Sequence, residues 1–242
     1  MSRNNADKWL EFKGVSSAAF SAYLADANII NTGEWSGTSL TAAGRDGDYW
    51  QPGAYMPYQL KRTLRFPLAE LDNVLGWLHG TGALRLYYAE NRSIDARITK
   101  AVSIRQLTPG SNGMCDATVT FDCQPFKRQY PESADITITA SGQPITGAGN
   151  APALPRVKIA GAGPFTVMIG ATAMNFVDIT GGIIVDSELM DAFTVDGAAL
   201  YNANVSGDFF ELDPTSPITV GWTLESGATI SSITITPRWR WR

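Results

Sequence analysis

The apolar residues between positions 67 and 78 recur at the spacing of one helix face. Leucine or valine stands at 68, 71, 74, 75 and 78, which is the pattern of a helix with a single apolar stripe. Pro67 suits the first helical position, and Gly80 or Gly82 suits the C-terminal stop. The pattern therefore predicts a helix that begins at Pro67 and ends before Gly80.

Other stretches of the first half alternate or are rich in β-branched residues, which favours strands. They are 84–88, 96–107 and 117–123. The opening stretch 16–28 is ambiguous, because its alanines favour helix whereas Phe20, Ala22 and Leu24 alternate as in a half-buried strand. The first half is therefore expected to be β-rich with one helix.

Short apolar runs separated by Gly, Asp, Asn or Pro make up most of the second half. They are 157–159, 165–169, 183–185, 193–195, 218–222 and 230–241. Short strands with turn residues between them predict a β-sandwich or jelly roll. In the last run, apolar positions from Ile233 to Trp241 alternate with polar ones that end at Arg242, so we expect a core-packing terminal strand with an exposed basic edge.

A run rich in Gly, Ala and Pro, residues 140–155, separates the two halves. Such a run supplies few side chains to a core and is typical of a linker or a long exposed connection. We therefore expect two domains, 1–139 and 140–242, and a mainly β fold of the β-rich α+β kind. The charge also divides there: residues 1–149 carry 14 Lys+Arg and 14 Asp+Glu, whereas residues 150–242 carry 5 and 9.

The 242 residues include one histidine, His79, and two cysteines, and they contain no HExxH, CxxC, P-loop or GxSxG motif. Zinc sites and nucleophile–base pairs usually need two or more His or Cys, so we expect no metal and no cofactor. A carboxylate pair needs no histidine, so Asp186 and Glu188, at the same strand parity, leave a hydrolase or a bound cation open. Cys115 and Cys123 share parity on one predicted strand, too far apart to bridge, which indicates reduced, buried thiols.

The ending 238–242 interleaves arginine and tryptophan, but strand alternation puts the two residue types on opposite faces. Together with the net charge of −4, this argues against sequence-specific nucleic-acid binding. Seven tryptophans could stack on sugar rings, yet Trp77, Trp222, Trp239 and Trp241 fall at apolar positions, so core or interface burial is favoured. The apolar runs are far shorter than the roughly 20 residues a membrane span needs, and no charged-then-apolar leader opens the chain, so neither membrane insertion nor a signal peptide is expected.

Several loose motifs follow one another along nearly the whole chain. In the first half they are Phe12 to Ser17, Gly44 to Tyr49, Gly80-Thr81-Gly82 before strand 84–88, and Val119 to Phe126. In the second half they are Pro155 to Gly161, Gly182 to Glu188, Gly207 to Leu212, and Pro237 to Trp241. Their joint order resembles the distal tail protein (Dit) family of long-tailed bacteriophages. The chain departs from the family pattern at 212–218, where the family often has a Pro-Gly-x-Asn-type turn.

The resemblance implies a structural virion protein without enzymatic activity or cofactor. It implies an N-terminal ring-forming β domain with one helix, followed by a galectin-like β-sandwich. The family forms a homo-oligomeric ring, typically a hexamer, whose channel lets DNA pass. The implied partners are the tail tube protein, a tail-associated baseplate or fibre protein and a receptor-binding protein. The implied location is the phage tail tip, after assembly in the host cytoplasm, and the resemblance favours extended structure for 16–28.

A closed ring needs head-to-tail contacts, in which two different patches of each subunit meet around the axis. The hairpin-like turn 44–49 is our candidate for one of these patches. The candidate interface residues are Arg45, Asp46, Asp48 and Tyr49. One alternative function is a carbohydrate-binding adhesion module of a phage tail, and another is a tail hydrolase that uses Asp186 and Glu188.

Overall fold

A computed structural model describes residues 8–26, 32–41, 43–44, 46–51, 53–110 and 112–242. The chain is mostly β, with 54% strand and 8% helical residues, which confirms the predicted fold class. It divides into two compact units after Tyr130, and the second unit ends at Trp241. The domain boundary at 139/140, as a boundary between independently folding parts, stays a prediction.

The first unit is built on one large antiparallel sheet. Its strands are β1 (Leu10–Phe12), β2 (Val15–Ser16), β3 (Tyr23–Leu24), β4 (Glu34–Trp35), β5 (Thr38–Thr41), β6 (Asp48–Gln51), β7 (Tyr55–Met56), β8 (Tyr58–Pro67), β9 (Gly80–Leu86), β10 (Arg92–Ile98), β11 (Ser103–Gln106) and β12 (Met114–Gln129). The sheet has the order β2-β1-β9-β10-β12-β8-β3, and β11 pairs with β12. Strands β4 to β7 lie outside this sheet, in two small two-stranded pairs.

Alternation along β8 and β12 produces the core of the first unit. The two strands pair from Tyr58↔Cys123 to Pro67↔Met114, and their apolar residues point to one buried face. Helix α1 (Leu71–Trp77) covers that face, and the indole Nε1 of Trp77 donates a hydrogen bond to the carbonyl of Phe12 at 2.9 Å. Both cysteines lie on β12 as buried free thiols.

The predicted helix is confirmed in position, but its first turn differs. Leu68–Glu70 form a 3₁₀ turn, and the α-helix proper begins at Leu71. Pro67 precedes the turn with extended backbone, φ −64° and ψ 142°, so it stands at the cap instead of inside the helix. No helix among the described residues is long and apolar enough to cross a membrane.

Two strand expectations in the first unit are wrong. The stretch 96–107 forms two strands, because β10 ends at Ile98, the chain turns, and β11 pairs farther along the same strand, β12. Asp122 of β12 accepts a hydrogen bond from the Thr99 hydroxyl at 2.6 Å, which fixes that turn. The expected extended structure of 16–28 is wrong for Ser17–Phe20, which form a 3₁₀ helix; β3 is extended, and residues 27 and 28 lie outside the described residues.

The second unit is a β-sandwich, as the pattern of short strands predicted. Its strands are β13 (Ile136–Ile138), β14 (Gln143–Ile145), β15 (Arg156–Ile169), β16 (Thr172–Ile179), β17 (Ile183–Asp186), β18 (Asp191–Thr194), β19 (Val205–Gly207), β20 (Ile218–Leu224), β21 (Thr229–Thr236) and β22 (Arg240–Trp241). One sheet has the order β13-β21-β15-β17-β18, and the other has the order β14-β20-β15-β16-β19.

Strand β15 belongs to both sheets of the sandwich. Residues 157–159 and 165–169, predicted as separate strands, are its two ends, and register shifts at Ala160/Gly161 and Gly163/Phe165 bend it between them. Gly163 has a φ of 84°, and a Cβ there would lie 2.9 Å from the Cα of Ala228. The bend therefore depends on a residue without a side chain.

The Gly-, Ala- and Pro-rich run 140–155 lies within the second unit. Residues 143–145 form β14 on β20, while Ala151 and Ala153 are buried and bridge to Arg240 and Leu212. The expectation of an exposed connection is therefore wrong for this part of the run. Alanine suits these positions because a small apolar side chain is buried there without a polar group to satisfy.

Candidate intersubunit surface

The turn that carries the candidate interface residues is the tip of a β-hairpin. Strands β5 and β6 pair antiparallel from Thr38↔Gln51 to Thr41↔Asp48, and β4 pairs with β7 at its base. Gly44 and Gly47 lie in the turn with φ of 83° and 79°, a conformation that glycine adopts without strain. All residues of β5 and β6 are exposed, so this hairpin contributes no strand face to the core of its own unit.

Side-chain hydrogen bonds support the hairpin from within. The carboxylate of Asp48 accepts from the Ser39 hydroxyl at 2.6 Å and from the Thr41 hydroxyl at 2.9 Å. These two hydrogen bonds lower the pKa of Asp48. At the base, the Ser36 hydroxyl donates to the carbonyl of Ala54 and accepts from its N–H.

Exposed aromatic and aliphatic side chains lie on both faces of the hairpin, with Leu40 and Tyr49 on one face and Trp50 on the other. Trp50 is 67% exposed, Tyr49 is 57% exposed, and Leu40 and Met56 are about half exposed. The rings of Trp35 and Trp50 stack, with centroids 6.2 Å apart and planes 22° from parallel. We call these five residues the aromatic hairpin surface. Exposed apolar clusters of this kind mark interaction sites, because water is a poor solvent for them.

The base of the hairpin is anchored to β12 of the main sheet. The ring of Tyr55 meets the ring of Phe126 edge-on, with centroids 5.4 Å apart. Gly33 lies so close to Pro125 that a Cβ on this glycine would fall 2.6 Å from the Pro125 Cβ. The base of the hairpin therefore packs against β12, while the aromatic hairpin surface is exposed to solvent.

The structure brings together some of the predicted interface residues. Asp46, Asp48 and Tyr49 lie in or beside the turn and are exposed, whereas Arg45 lies outside the described residues. Sequence reasoning missed Trp35 and Trp50, although two adjacent aromatics in a short strand between glycine-rich turns were a usable signal. Whether these residues form an interface stays a prediction.

The predicted basic edge of the last strand is wrong for Arg238 and Arg240. Their side chains are only 21% and 15% exposed, because they pair with carboxylates at the end of β17. Arg238 donates to both oxygens of Asp186, at 2.7 and 2.8 Å, and Glu188 lies 3.3 Å from Arg238 and 3.6 Å from Arg240. The apolar part of the prediction is confirmed for Ile233, Ile235 and Trp239, which are buried. The single strand expected over 230–241 is wrong, because β21 ends at Thr236 and Arg238 adopts a left-handed φ of 54° before the short strand β22.

This arrangement bears on the hydrolase hypothesis for Asp186 and Glu188. Burial raises the pKa of Asp186, but hydrogen bonds from Arg238 and from the Leu189 and Glu188 amides outweigh it, so the pKa is lowered overall. A catalytic general acid needs the opposite shift. Both oxygens of Asp186 are also engaged by Arg238, so the geometry favours a structural ion pair.

Comparison with known proteins finds a likeness in fold and none in sequence. No protein-family model matches this chain, and no curated protein matches it. The solved structure of the Dit (gp 19.1) protein of phage SPP1 covers 95% of this chain and 98% of its own, with a TM-score of 0.72 and 15% identity. That protein is described as a paradigm of the hub adsorption apparatus of phages that infect Gram-positive bacteria.

Two structures of the phage p2 baseplate in its activated conformation also match. The one with strontium covers 94% of this chain with a TM-score of 0.43 and 10% identity, and the one with calcium covers 97% with a TM-score of 0.42 and 12% identity. The likeness to SPP1 Dit extends over both units in one alignment. The fold expected from the family resemblance is therefore confirmed: this chain has the fold of a Dit protein.

Proposed function

We propose that this chain is a structural subunit of a bacteriophage tail tip, the hub that joins the tail tube to the adsorption apparatus. The observation that carries the proposal is the fold match to SPP1 Dit over nearly the full length of both chains. A fold shared at 15% identity supports a shared architectural role more than shared surface detail. The proposal involves no catalysis and no cofactor.

The proposed assembly is a closed ring, with six subunits as the expected number. Head-to-tail rings bury two different patches on each subunit, and the aromatic hairpin surface supplies one of them. Covering the stacked rings of Trp35 and Trp50 removes from water large apolar side chains that the fold of one subunit leaves exposed. The neighbouring subunit is the proposed occupant because a closed ring brings a second copy of the same chain against each subunit.

The proposed partners follow from the position of a hub in a tail. They are the tail tube protein on one side, a tail-associated baseplate or fibre protein on the other, and a receptor-binding protein at the outer domain. DNA passes through the ring channel without sequence-specific contacts. The protein is assembled in the host cytoplasm and ends in the virion at the tail tip.

Negative-stain electron microscopy of the purified protein tests the ring directly. We expect class averages of a six-fold ring with a central hole, made more abundant by raising the protein concentration. Fields that contain only single small particles at every concentration, with no rings or arcs, would contradict the proposal. A closed ring with another subunit number would correct the expected stoichiometry and would still support the proposed hub.

A further inference from the structure

One strand of the first unit, β11, has an open edge. It pairs with β12 along one side, and just after it the amide of Leu107 donates to the carbonyl of Met114 at 2.8 Å. Because hydrogen-bonded and non-hydrogen-bonded residues alternate along an antiparallel ladder, the backbone N–H groups of Ile104 and Gln106 point away from β12. In the described part of the chain, no group accepts a hydrogen bond from these two amides.

The side chains of β11 fix the strand and leave a cation on it. Ile104 packs against the core of the first unit, whereas the side chain of Arg105, on the opposite face, is 75% exposed. Asp116 accepts two hydrogen bonds from Arg65, at 2.8 and 3.0 Å, and Arg105 reaches the same carboxylate only at 3.5 Å. One carboxylate therefore faces two guanidinium groups, and the strand carries surplus positive charge.

Strand β6 of the hairpin also has an open edge, and its side chains complement those of β11. The two strands have four residues each, and among the described strands β6 pairs with β5 alone. Alternation places Asp48 and Trp50 on one face of β6, and both are exposed. The edge of β6 therefore presents a carboxylate and an indole where β11 presents a guanidinium.

Within one subunit these two edges do not meet, because β11 pairs with β12 and β6 pairs with β5. An open strand edge is a template for pairing with another chain, and strand addition is a common mode of recognition. A guanidinium both stacks on an indole and pairs with a carboxylate. A head-to-tail ring needs two different patches that fit each other, and these two edges meet that requirement.

We propose that β6 of one subunit adds to the open edge of β11 in its neighbour, so that a β-sheet continues from one subunit to the next. This inference rests on the proposed ring and names its second patch. In the added sheet, the amides of Ile104 and Gln106 donate to carbonyls of the neighbour's β6. Arg105 then lies against Trp50 and Asp48 of the neighbouring subunit.

Gln106→Pro tests the main-chain hydrogen bonds of the added strand. It removes an outward N–H and leaves the ladder with β12 intact, because this N–H does not take part in that ladder. The concentration at which half of the protein is assembled should rise at least about tenfold, measured by light scattering. Gln106→Ala is the matched control, since it also loses the side-chain hydrogen bond to the Thr108 carbonyl but keeps the amide, and it should assemble like the parent protein.

Arg105→Glu tests the charge on the edge. It places a carboxylate against Asp48 of the neighbour and should also raise the half-assembly concentration about tenfold or more. Arg97→Glu is the control, because Arg97 is 65% exposed on β10 and also lies beside a single carboxylate, Asp122, at 3.8 Å. It should leave assembly unchanged. Adding Asp48→Lys to Arg105→Glu should recover part of the lost assembly, because the two charges are then exchanged.

Hydrogen exchange measured by mass spectrometry needs no substitution in β11. The peptide that contains β11 should hold two more slowly exchanging amides in the assembled parent protein than in the Trp35→Ser, Trp50→Ser variant, namely those of Ile104 and Gln106. The peptide that contains β14 of the second unit is the internal control and should exchange equally in both.

The strand addition and the ring fail in different ways. Rings in which Gln106→Pro assembles as well as Gln106→Ala, or in which β11 exchanges as fast as in the monomer, would overturn the strand addition and leave the hub in place. Equal losses in Arg97→Glu and Arg105→Glu would also overturn it, because the overall charge of the sheet would then explain both. A parent protein that stays at the mass of one subunit would overturn the ring, and the strand addition with it.

Discussion

The hairpin of the first unit and the last strands of the second unit are both rich in tryptophan, but the exposure of their tryptophan side chains differs. Trp239 is only 4% exposed and belongs to the sandwich core, whereas Trp50 is 67% exposed on β6. Their carboxylates differ as well: Asp186 is buried and holds a guanidinium, while Asp48 is exposed and binds two hydroxyls within its own hairpin.

The difference lies in what stands opposite each strand. A second sheet covers the apolar side chains of β21 and Trp239. Their burial therefore stabilises the fold of this one chain. Among the described residues, nothing of the same unit covers β5 and β6. An apolar strand without an opposing layer stabilises its own fold little, and for this reason we propose that a partner covers this surface.

The largest effect is expected from removing the aromatic hairpin surface. Trp35→Ser together with Trp50→Ser should convert the assembly to monomers, because both stacked rings are lost from the proposed contact. The urea midpoint of the monomer should stay unchanged, since neither ring belongs to a core. Light scattering and urea titration measure the two quantities.

Leu189→Ser is the matched control for this pair of changes. Leu189 is 62% exposed and belongs to the second unit, whereas the hairpin belongs to the first. Its variant should assemble like the parent protein. Assembly that survives loss of both tryptophans would show that the hairpin is not the contact.

Trp239→Ala should show the opposite behaviour, with a large loss of stability. Removing a buried tryptophan costs about 3–5 kcal/mol, through lost apolar burial and the cavity left behind. Urea denaturation followed by the fluorescence of the remaining tryptophans measures the change. A loss below about 1 kcal/mol would mean that the terminal segment is not part of the sandwich core.

Asp186→Asn should destabilise the second unit by about 2 kcal/mol at neutral pH, because it removes the carboxylate charge that accepts two hydrogen bonds from the largely buried guanidinium of Arg238. The pKa of Asp186 is lower in the folded protein than in the unfolded chain. Its contribution is therefore present above about pH 4 and is lost as the pH falls through the folded pKa.

The stability difference between the parent protein and Asp186→Asn should accordingly shrink on acidification. Urea midpoints measured from about pH 6 down to about pH 2 test this, with the gap closing at the acid end. A gap that stays constant over the whole range would indicate that the carboxylate charge is not what stabilises the C-terminal segment.

The smallest effect is expected from Asp48→Asn. The substitution weakens the acceptor for Ser39 and Thr41 and should loosen the hairpin without changing the urea midpoint of the unit. The concentration at which the assembly dissociates should rise a few-fold in a dilution series. Asp196→Asn is the control, because Asp196 binds the hydroxyl of Thr194 in a similarly exposed turn of the second unit. Equal effects of the two substitutions would contradict a special role for Asp48.

Local patterns were sufficient to predict much of the fold. Strand 117–123 alternates because one face of β12 is buried, and the short apolar runs after residue 150 correspond to strands of the sandwich. The bend in β15 and the division of 96–107 into two strands were not predictable, since both depend on which strands pair over long distances.

The candidate sites were predicted less completely, for physical reasons. Periodicity identifies apolar strands, but it does not distinguish burial within the chain from burial against a partner, so Trp50 was not singled out. Asp186 pairs with Arg238, a residue 52 positions farther along the chain, and local patterns do not predict such a long-range pair. Arg238 also adopts a left-handed φ of 54°, whereas strand alternation predicts extended backbone there.

The most direct test of the account is the absolute mass of the purified protein, measured by light scattering across a concentration series. The account predicts a species of about 157 kDa, six times the subunit mass of 26.1 kDa, which the Trp35→Ser, Trp50→Ser variant lacks. A parent protein that stays at 26.1 kDa at the highest concentration, or a variant that assembles equally well, would contradict it.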